Sequence, residues 1–344
     1  MMKSIVLLLA ISISFRGTAQ QLTSWKEIKI QRFGKESIYT TKENIPLKGY
    51  YKVASDKGNY SEIHFVEGKI TGARKNYNTQ GKLTGDFKYK EGKPHGKWIY
   101  YDEMGKPEAV EHYKDGNKHG RWWEKKLKNG NSYVRTEYYE DNLPVGTWTE
   151  KWLNKTLKLE KSYEGLGTYV EKEYHNNGEL YTLKSYRELK LHGQQLVYSV
   201  SGILLERKTY HNDILEKLEY FFKNGQLDSE YNYENGVLHG KCVDYYPSGG
   251  IHWVERYENG YRSGVWKKYL DDNGWLYIEA TYKDDILNGT HTTYYSSGIV
   301  ERKGQYLNGS RNGVWKFYNK AGKLAEEIEY DKGTEIKRIA YKKL

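Results

Sequence analysis

The sequence predicts an all-β protein, an elongated single-layer antiparallel sheet made of tandem β-hairpins of about 24 residues each. Three observations lead there. An aromatic residue opens a repeated pattern every 23 to 26 residues. Glycine recurs at fixed places within the pattern. The 344 residues include 35 Tyr, 35 Gly and 10 Trp but only 5 Pro, with a mean hydropathy of −0.91. A polar chain with regularly spaced aromatic residues is typical of a thin β structure with little deep core.

The repeat is clearest at residues 306–329, which read YLNGSRNGVWKFYNKAGKLAEEIE. It contains an opening Tyr, two Gly, a Trp, a second Tyr and a Gly-x-Leu turn. Eleven full copies lie between residues 65 and 329, and a truncated copy occupies 330–344. They open at Phe65, Tyr89, Tyr113, Tyr139, Tyr163, Tyr186, Tyr210, Tyr233, Tyr257, Tyr282 and Tyr306.

Each copy is predicted to form one hairpin. In the last full copy, Trp315–Tyr318 is the first expected strand and Leu324–Tyr330 is the second. The Gly residues supply the positive φ that tight turns need. Eleven hairpins give about 22 strands, which at about 4.8 Å per strand predict an array about 100 Å long. A single hairpin cannot bury its own apolar face, so its neighbours must supply the stability.

The recurring aromatic and glycine residues are therefore interpreted as structural. The aromatic residues are expected to pack in a ladder, and the glycines to turn the chain. These structural repeat positions are Tyr89, Gly92, Gly96, Trp98, Tyr113, Gly116, Gly120, Trp122, Trp148, Tyr233, Gly236, Gly240, Tyr257, Gly260, Gly264, Trp266, Tyr306, Gly309, Gly313 and Trp315.

The repeated unit resembles the MORN repeat, and in particular its bacterial variant. The resemblance rests on YKEGKPHGKWIYYDEMGK at 89–106, YENGVLHGKCVDYYPSGG at 233–250 and YLNGSRNGVWKFYNKAGK at 306–323, and it covers residues 46–344. It implies an elongated β array used for interaction. Eukaryotic relatives are associated with membrane attachment, dimerisation and scaffolding, and some bacterial relatives carry an antitoxin label.

The N-terminus predicts export. Residues 1–19 combine a basic start, an apolar run at 4–15 and small residues before Gln20, which is the plan of a secretory signal peptide. A short membrane anchor is the alternative. Removal of Lys3 and Arg16 lowers the basic count from 55 to 53 against 45 acidic residues, so the formal net charge falls from +10 to +8. Residues 20–45 are predicted to form an N-terminal cap strand or linker.

The chemically reactive side chains fall into structural positions. His95, His119, His192 and His239 all precede the second Gly of their copies. Even in adjacent copies such residues would lie about 10 Å apart, which is too far to share a metal ion. Cys242 occupies the Trp position of its copy, and the pairs Asp271–Asp272 and Asp284–Asp285 lie in predicted turns. The sequence therefore predicts no enzyme activity, no metal, no cofactor and no small-molecule substrate. The charge is dispersed, so no nucleic-acid partner is expected.

Four aromatic residues fall outside the register and are the candidate binding residues, expected to be exposed: Trp123, Trp152, Trp253 and Trp275. The predicted function is that of an exported, non-enzymatic scaffold or binding surface for a protein or cell-envelope partner, periplasmic or extracellular. One alternative is peripheral attachment to an anionic membrane through basic and aromatic residues. A second is an antitoxin-like protein, which requires that the chain is not exported. A carbohydrate-handling protein is a further alternative.

Overall fold

The computed structural model describes residues 20–34, 36–270 and 274–341. The predicted signal peptide and Asp271–Asp272 lie outside these residues. The described chain is almost entirely β-strand, with one 3-10 helix at Trp25–Glu27 and no α-helix. Within these ranges no helix is long and apolar enough to cross a membrane. The chain divides into two compact units, residues 1–145 and 146–344.

The strands of the first unit alternate with short turns. They are β1 (Gln21–Ser24), β2 (Lys29–Phe33), β3 (Glu36–Thr40), β4 (Gly49–Ala54), β5 (Tyr60–Val66), β6 (Lys69–Ile70), β7 (Gly72–Tyr77), β8 (Leu83–Lys90), β9 (Lys93–Tyr101), β10 (Pro107–Lys114), β11 (Asn117–Lys118), β12 (Gly120–Lys128), β13 (Asn131–Glu140) and β14 (Leu143–Pro144).

The second unit continues the same pattern. Its strands are β15 (Gly146–Trp152), β16 (Leu157–Gly165), β17 (Thr168–Tyr174), β18 (Leu180–Arg187), β19 (Lys190–Tyr198), β20 (Leu204–His211), β21 (Ile214–Phe221), β22 (Leu227–Glu234), β23 (Val237–Leu238), β24 (Gly240–Tyr245), β25 (Ile251–Glu258), β26 (Tyr261–Arg262), β27 (Gly264–Leu270), β28 (Trp275–Lys283), β29 (Ile286–Tyr294), β30 (Val300–Leu307), β31 (Ser310–Tyr318), β32 (Leu324–Asp331) and β33 (Thr334–Ala340).

The predicted sheet of tandem hairpins is confirmed. Among the described residues, 31 strands form one mostly antiparallel sheet, and β2 and β3 form a separate two-stranded sheet. Strands β1 and β4 pair in parallel. Each of five hairpin arms is divided at its second Gly into two strands. When each divided arm is counted once, and β1, β4, β5 and β33 are set aside as flanking strands, the eleven copies contribute the expected 22 arms.

The turn that opens each copy joins neighbouring repeats. At Asn308 and Gly309 the φ angles are 49° and 82°. Positive φ at both central residues defines the type I′ turn, whose twist matches that of the flanking strands. The Gly309 N–H also donates to the Leu287 carbonyl of the preceding copy at 2.8 Å, and Gly333 donates in the same way to Arg311 at 2.8 Å. This contact recurs at about one-repeat separation, and it ties each opening turn to the preceding copy.

The second Gly of each copy has a different role from the one predicted. The sequence assigns Gly313 to a return loop, but it lies inside β31, where the register against β30 shifts between Lys303 and Gln305. Its φ of 68° marks a β-bulge with a residue in the left-handed region. The first arm is therefore longer than the predicted Trp315–Tyr318, because it continues through the bulge instead of starting after it.

Replacing Gly313 with Val is expected to lower the free energy of unfolding by about 1–3 kcal/mol. A Cβ at this position would meet no atom within 4 Å, so the loss would come from the positive φ and not from a clash. Gly313→Asn is the control, because Asn tolerates the left-handed region. Hydrogen exchange of β30 and β31 measures the effect, and equal protection in the Val and Asn variants would contradict this explanation.

The predicted cap is folded and covers the first strands. The sequence predicts one strand near Ser24–Phe33, but Trp25–Glu27 form a 3-10 turn between β1 and β2. Ile28 and Leu47 join Phe65 in the main buried cluster, whose other members are Val53, Ile63 and Ile70. Tyr39 N–H donates to the Gly68 carbonyl at 2.7 Å, which ties β3 to the first type I′ turn. The cap thus adds the apolar cover that one sheet layer lacks.

Candidate interaction surface

One face of the sheet carries the opening Tyr residues and the repeated Trp residues, and is called here the ladder face. Strand pairing defines it, since residues directly opposite each other in an antiparallel pair lie on the same face. Trp98 is opposite Glu111, and Trp122 is opposite Glu137. The ladder face therefore combines aromatic rings with carboxylates.

The aromatic ladder predicted from the repeats is present in the first unit. Ring centroids in the series Tyr89, Trp98, Tyr113, Trp122 and Tyr139 are separated successively by 5.1, 4.8, 5.0 and 5.5 Å. The rings are tilted or edge-on to one another, as their quadrupoles favour. Tyr113 thus packs between the Trp residues of two successive copies, so the ladder belongs to the array and not to one copy.

The repeated Trp residues are also held by a hydrogen bond. Four of them donate the Nε1–H to the backbone carbonyl ten residues earlier, directly before the opening Tyr. The bonds run from Trp98 to Lys88 at 2.8 Å, from Trp122 to His112 at 2.8 Å, from Trp266 to Arg256 at 2.9 Å and from Trp315 to Gln305 at 3.1 Å. A bound indole nitrogen explains why Trp recurs at this position.

The second unit contains similar ladder segments with substitutions in the Trp position. Trp266 packs against Tyr257 and Tyr282 at 5.4 and 5.0 Å. Cys242 occupies the Trp position of the preceding copy and is fully buried. Burial is the main factor that raises the pKa of its thiol, so the reactive thiolate is disfavoured. Cys242 therefore behaves as a small packed side chain, as the repeat register predicts.

Carboxylates next to the ladder bind the Tyr hydroxyls. Glu111 accepts hydrogen bonds from Tyr100 at 3.2 Å and Tyr113 at 3.0 Å, and Glu137 accepts one from Tyr139 at 2.9 Å. Burial, then the charge of Glu111 and the hydrogen bond to it, raises the pKa of Tyr113. The Tyr113 hydroxyl therefore stays protonated near neutral pH and acts as a donor.

Three cations cover ladder rings at the second residue after the type I′ turn. The Lys118 ammonium lies 4.2 Å from the Trp122 ring centroid and 4.5 Å from that of Tyr139. Arg262 covers Trp266 and Tyr282, and Arg311 covers Trp315 and Tyr330, at 4.6–5.5 Å. Sequence reasoning missed these cation–π contacts. The sequence does contain a signal for these contacts, because each basic residue lies two positions after the first Gly of its copy.

A depression of about 290 Å³ opens on the ladder face of the first unit. Its polar walls include Glu111, Glu124 and Lys118, with the Trp122 ring on one side. Glu124 pairs with Lys126 at 2.9 Å. The depression thus presents carboxylates and cations around an aromatic ring, which suits contact with polar side chains of a partner.

The four His residues before the second Gly contact the turns, as expected. His95 Nδ1 accepts the Asp115 N–H at 3.3 Å, and His239 Nδ1 accepts the Asn259 N–H at 3.4 Å. His119 lies 4.0 Å from an Asp141 oxygen, and the His192 ring packs 5.0 Å from that of His211. In residues 20–34, 36–270 and 274–341, no group of three or more His, Cys, Asp or Glu is arranged to hold a metal.

The four candidate binding Trp residues are half-buried, so the expectation that they are exposed is wrong. Trp253 has Lys268 Nζ 4.8 Å from its ring centroid, and Trp275 packs 6.0 Å from Tyr277. Trp123 pairs with Thr136 and Val110 on the face opposite the ladder. Trp152 is half-buried beside Lys158. The structure does not bring these four together, because they belong to different hairpins and both faces.

His291 occupies the Trp position of its copy, two residues after Gly289. Its ring lies 5.4 Å from Tyr306 and 5.7 Å from Trp315. Burial, then the charges of Arg302 and Arg311, lowers its pKa to about 4. Aligning the copies on their second Gly would have placed this His in the ladder.

The free energy of unfolding is expected to depend on pH through His291. The folded state disfavours the proton, whereas the unfolded chain takes it up near pH 6.5. The contribution is complete above pH 6.5 and is lost as the pH falls towards 4, by up to about 3 kcal/mol. Denaturant unfolding of wild type and His291→Gln measures it, with His95→Gln as control. Parallel pH profiles for wild type and His291→Gln would contradict the assignment.

The fold and the ladder define a class, the β-hairpin repeat proteins that pack one aromatic ladder along the sheet. The family described as MORN repeat variant matches this chain at five stretches, residues 94–115, 217–235, 262–284, 287–308 and 311–332. Five repeats of the chain therefore match the MORN repeat variant, as the sequence motifs predict. No curated protein matches it.

Likenesses to solved structures are weak. Alternansucrase in complex with isomaltononaose is 11% identical with a TM-score of 0.20, and the match covers 78% of this chain but only 22% of that one. A TcdB2-TccC3-TEV chain is 11% identical with a TM-score of 0.12, covering 92% of this chain and 24% of that one. A eukaryotic initiation factor is 10% identical with a TM-score of 0.14, covering 91% and 87%. Scores this low establish no shared architecture.

Proposed function

We propose that this protein is an exported, non-enzymatic scaffold whose ladder face binds a protein partner. The ladder face carries the proposal, because it repeats aromatic rings and paired charges over successive hairpins. Aromatic residues and Arg are enriched in protein interfaces, where rings give contact area and charges set the register. The match to MORN repeat variants also supports a role in partner binding.

The pairing of charges favours a protein over an anionic membrane. On the ladder face of the second unit, Lys161 pairs with Glu171 at 2.7 Å, and Lys184 pairs with Glu171 at 3.6 Å and with Glu173 at 3.3 Å. Attraction to an anionic lipid surface needs basic side chains whose charge is not cancelled nearby. A pattern of alternating charge suits a partner with its own alternating charge.

The state of the nucleophile candidates supports a non-enzymatic role. The Cys242 thiol is buried with a raised pKa, and His95 and His239 are engaged with backbone N–H groups. A catalytic base must reach a substrate proton, and a nucleophile must be activated by such a base. Hydrolysis of a peptide or glycan by the pure protein, lost on a single Cys or carboxylate substitution, would refute this part.

Export rests on the apolar run before Gln20 and has a direct test. Sequencing of the protein purified from its natural host is expected to give a mature N-terminus at Gln20. An intact N-terminus at Met1 in the soluble cytoplasm would instead favour the antitoxin-like alternative. Sedimentation with anionic vesicles at low salt tests the membrane alternative separately.

Partner binding is tested by capture with a matched pair of charge reversals. Glu124→Lys changes the depression on the ladder face, and Lys125→Glu changes the neighbouring exposed residue, which points to the opposite face. The wild-type chain is expected to retain a protein from a cell-envelope extract, Lys125→Glu to retain it equally, and Glu124→Lys to lose most of it. Equal capture by both variants would mean that this surface is not the binding site.

A further inference from the structure

Three cations on the ladder face of the second unit have no carboxylate partner among the described residues. Lys268, Arg302 and Arg311 lie on β27, β30 and β31, and form what is called here the cationic cluster. Over the parts of the chain that the structure describes, none of the three is in an ion pair, whereas Lys161, Lys184 and Lys208 on the same face all are. The three cations differ in this respect from those Lys residues of the same face.

Arg302 is the centre of this cluster. It is half-buried, and its Nε is buried without a hydrogen-bond partner. Glu301, its neighbour in the chain, accepts a hydrogen bond from the fully buried Thr293 at 2.9 Å and makes no ion pair with Arg302. Leaving a buried donor of a charged group without an acceptor costs more than the average hydrogen bond contributes. The guanidinium therefore retains an unused N–H donor for an oxygen acceptor.

Beside Arg302, the ladder face around His291 is buried and mostly apolar. His291 lies opposite Ala280 and Gly304, both buried and small, and Trp315 is fully buried beside them. Arg311 also lies there, 4.7 Å from the Trp315 ring centroid. His291 is neutral near pH 7, so it adds a polar nitrogen without adding charge. Its Nδ1 also lacks a hydrogen-bond partner.

We propose that the cationic cluster receives carboxylate side chains from an acidic segment of a protein partner. Guanidinium groups bind carboxylates through two parallel hydrogen bonds, and the bond is strongest where water is excluded. Burial favours a side chain over a lipid surface as the ligand, because the buried rings of Trp315 and Trp266 cannot insert into a bilayer. The inference rests on the proposed function and specifies the chemistry of the partner.

The test uses the full-length chain and an oligoglutamate peptide as the probe, with oligoglutamine of equal length as the control peptide. Binding is followed by fluorescence anisotropy at low salt, where charge attraction is least screened. Arg302→Gln is expected to raise the Kd for oligoglutamate about tenfold, because a charge-assisted bond is lost. Lys303→Gln is the matched control: it removes the same charge from the next residue, whose side chain is exposed on the opposite face.

Equal weakening by both variants would overturn the proposal, since it would reduce the effect to net charge. No preference of the wild type for oligoglutamate over oligoglutamine would overturn it as well. The Arg302 Nε–H signal in the NMR spectrum of the wild type is a second readout that needs no variant. It is expected to shift on addition of oligoglutamate, and a static signal would contradict the site. Loss of binding to phosphatidylserine vesicles in Arg302→Gln, without loss of peptide binding, would assign the cluster to lipid instead.

The outcome is separable from that of the proposed function. If the wild type captures an envelope protein and Arg302→Gln captures it equally, the ladder face still binds a partner, but not through this cluster. If no form of the chain captures a protein, the proposed function itself fails, whatever oligoglutamate does.

Discussion

Replacing Trp315 with Ala is expected to lower the free energy of unfolding by about 3–5 kcal/mol. The side chain is fully buried and packs against Tyr306 at 5.2 Å. A Cβ on Gly304 would lie 2.2 Å from the Trp315 ring, so the indole covers this glycine closely. The truncation would remove the ring contacts and leave the Gln305 carbonyl without the indole donor found 3.1 Å away.

Val314→Ala is the matched control for this variant. Val314 is the adjacent residue, faces away from the ladder and is 47% exposed. Its truncation is expected to change stability by less than about 0.5 kcal/mol. Trp315→Phe separates the contribution of ring packing from that of the hydrogen bond, because it keeps an aromatic side chain but has no N–H. Urea unfolding with hydrogen exchange on β29–β32 measures all three, and similar losses for Trp315→Ala and Val314→Ala would refute the ladder as a source of stability.

Replacing Phe65 with Ala is expected to cost the first unit about 3–5 kcal/mol. Phe65 is fully buried and lies 5.2 Å from Tyr39 of the cap and 5.5 Å from Tyr51 of the first strands. It is the opening aromatic of its copy, and it also lies under the cap. Its loss would open a cavity between the cap and the sheet, because the backbone bond between Tyr39 and Gly68 holds both sides in place.

Val66→Ala is the control, since Val66 follows Phe65 and is 42% exposed. The Phe65 variant is expected to increase hydrogen exchange in β3–β5 while β28–β32 keep their protection. Repeat arrays are stabilised mainly by contacts between neighbours, so damage at one end stays local. Equal loss of protection in both units would show that the array unfolds as a single cooperative body.

The repeat period predicted most of the fold. Tyr at the start of each copy, Trp after the second Gly and Gly in the turns predicted the hairpins, because these residue types satisfy turn geometry and ladder packing locally. The same register correctly placed Cys242 in the Trp position. It did not show that Gly313 forms a bulge, since positive φ is compatible with a turn or a bulge alike.

The candidate surface was much less predictable. The sequence did not predict that Lys118 and Arg311 make cation–π contacts. The turn places each of them over the Trp of its own copy and the Tyr of the next. The unpaired state of Arg302 depends on which carboxylates lie across the strands, and these come from different copies. Exposure of Trp123 was misjudged because departure from the register does not determine which face or neighbour covers a ring.

The amino-acid sequence by itself determined the repeat, the hairpins and the aromatic ladder, because each depends on contacts within a copy or with the adjacent copy at constant spacing. Only the tertiary structure decided how the cap covers Phe65, which charges cancel and which remain unpaired. Those features arise from side chains that are distant in the chain or differ from copy to copy. Whether these side chains come into contact depends on strand register, because a slip of one residue would move each of them to the other face of the sheet.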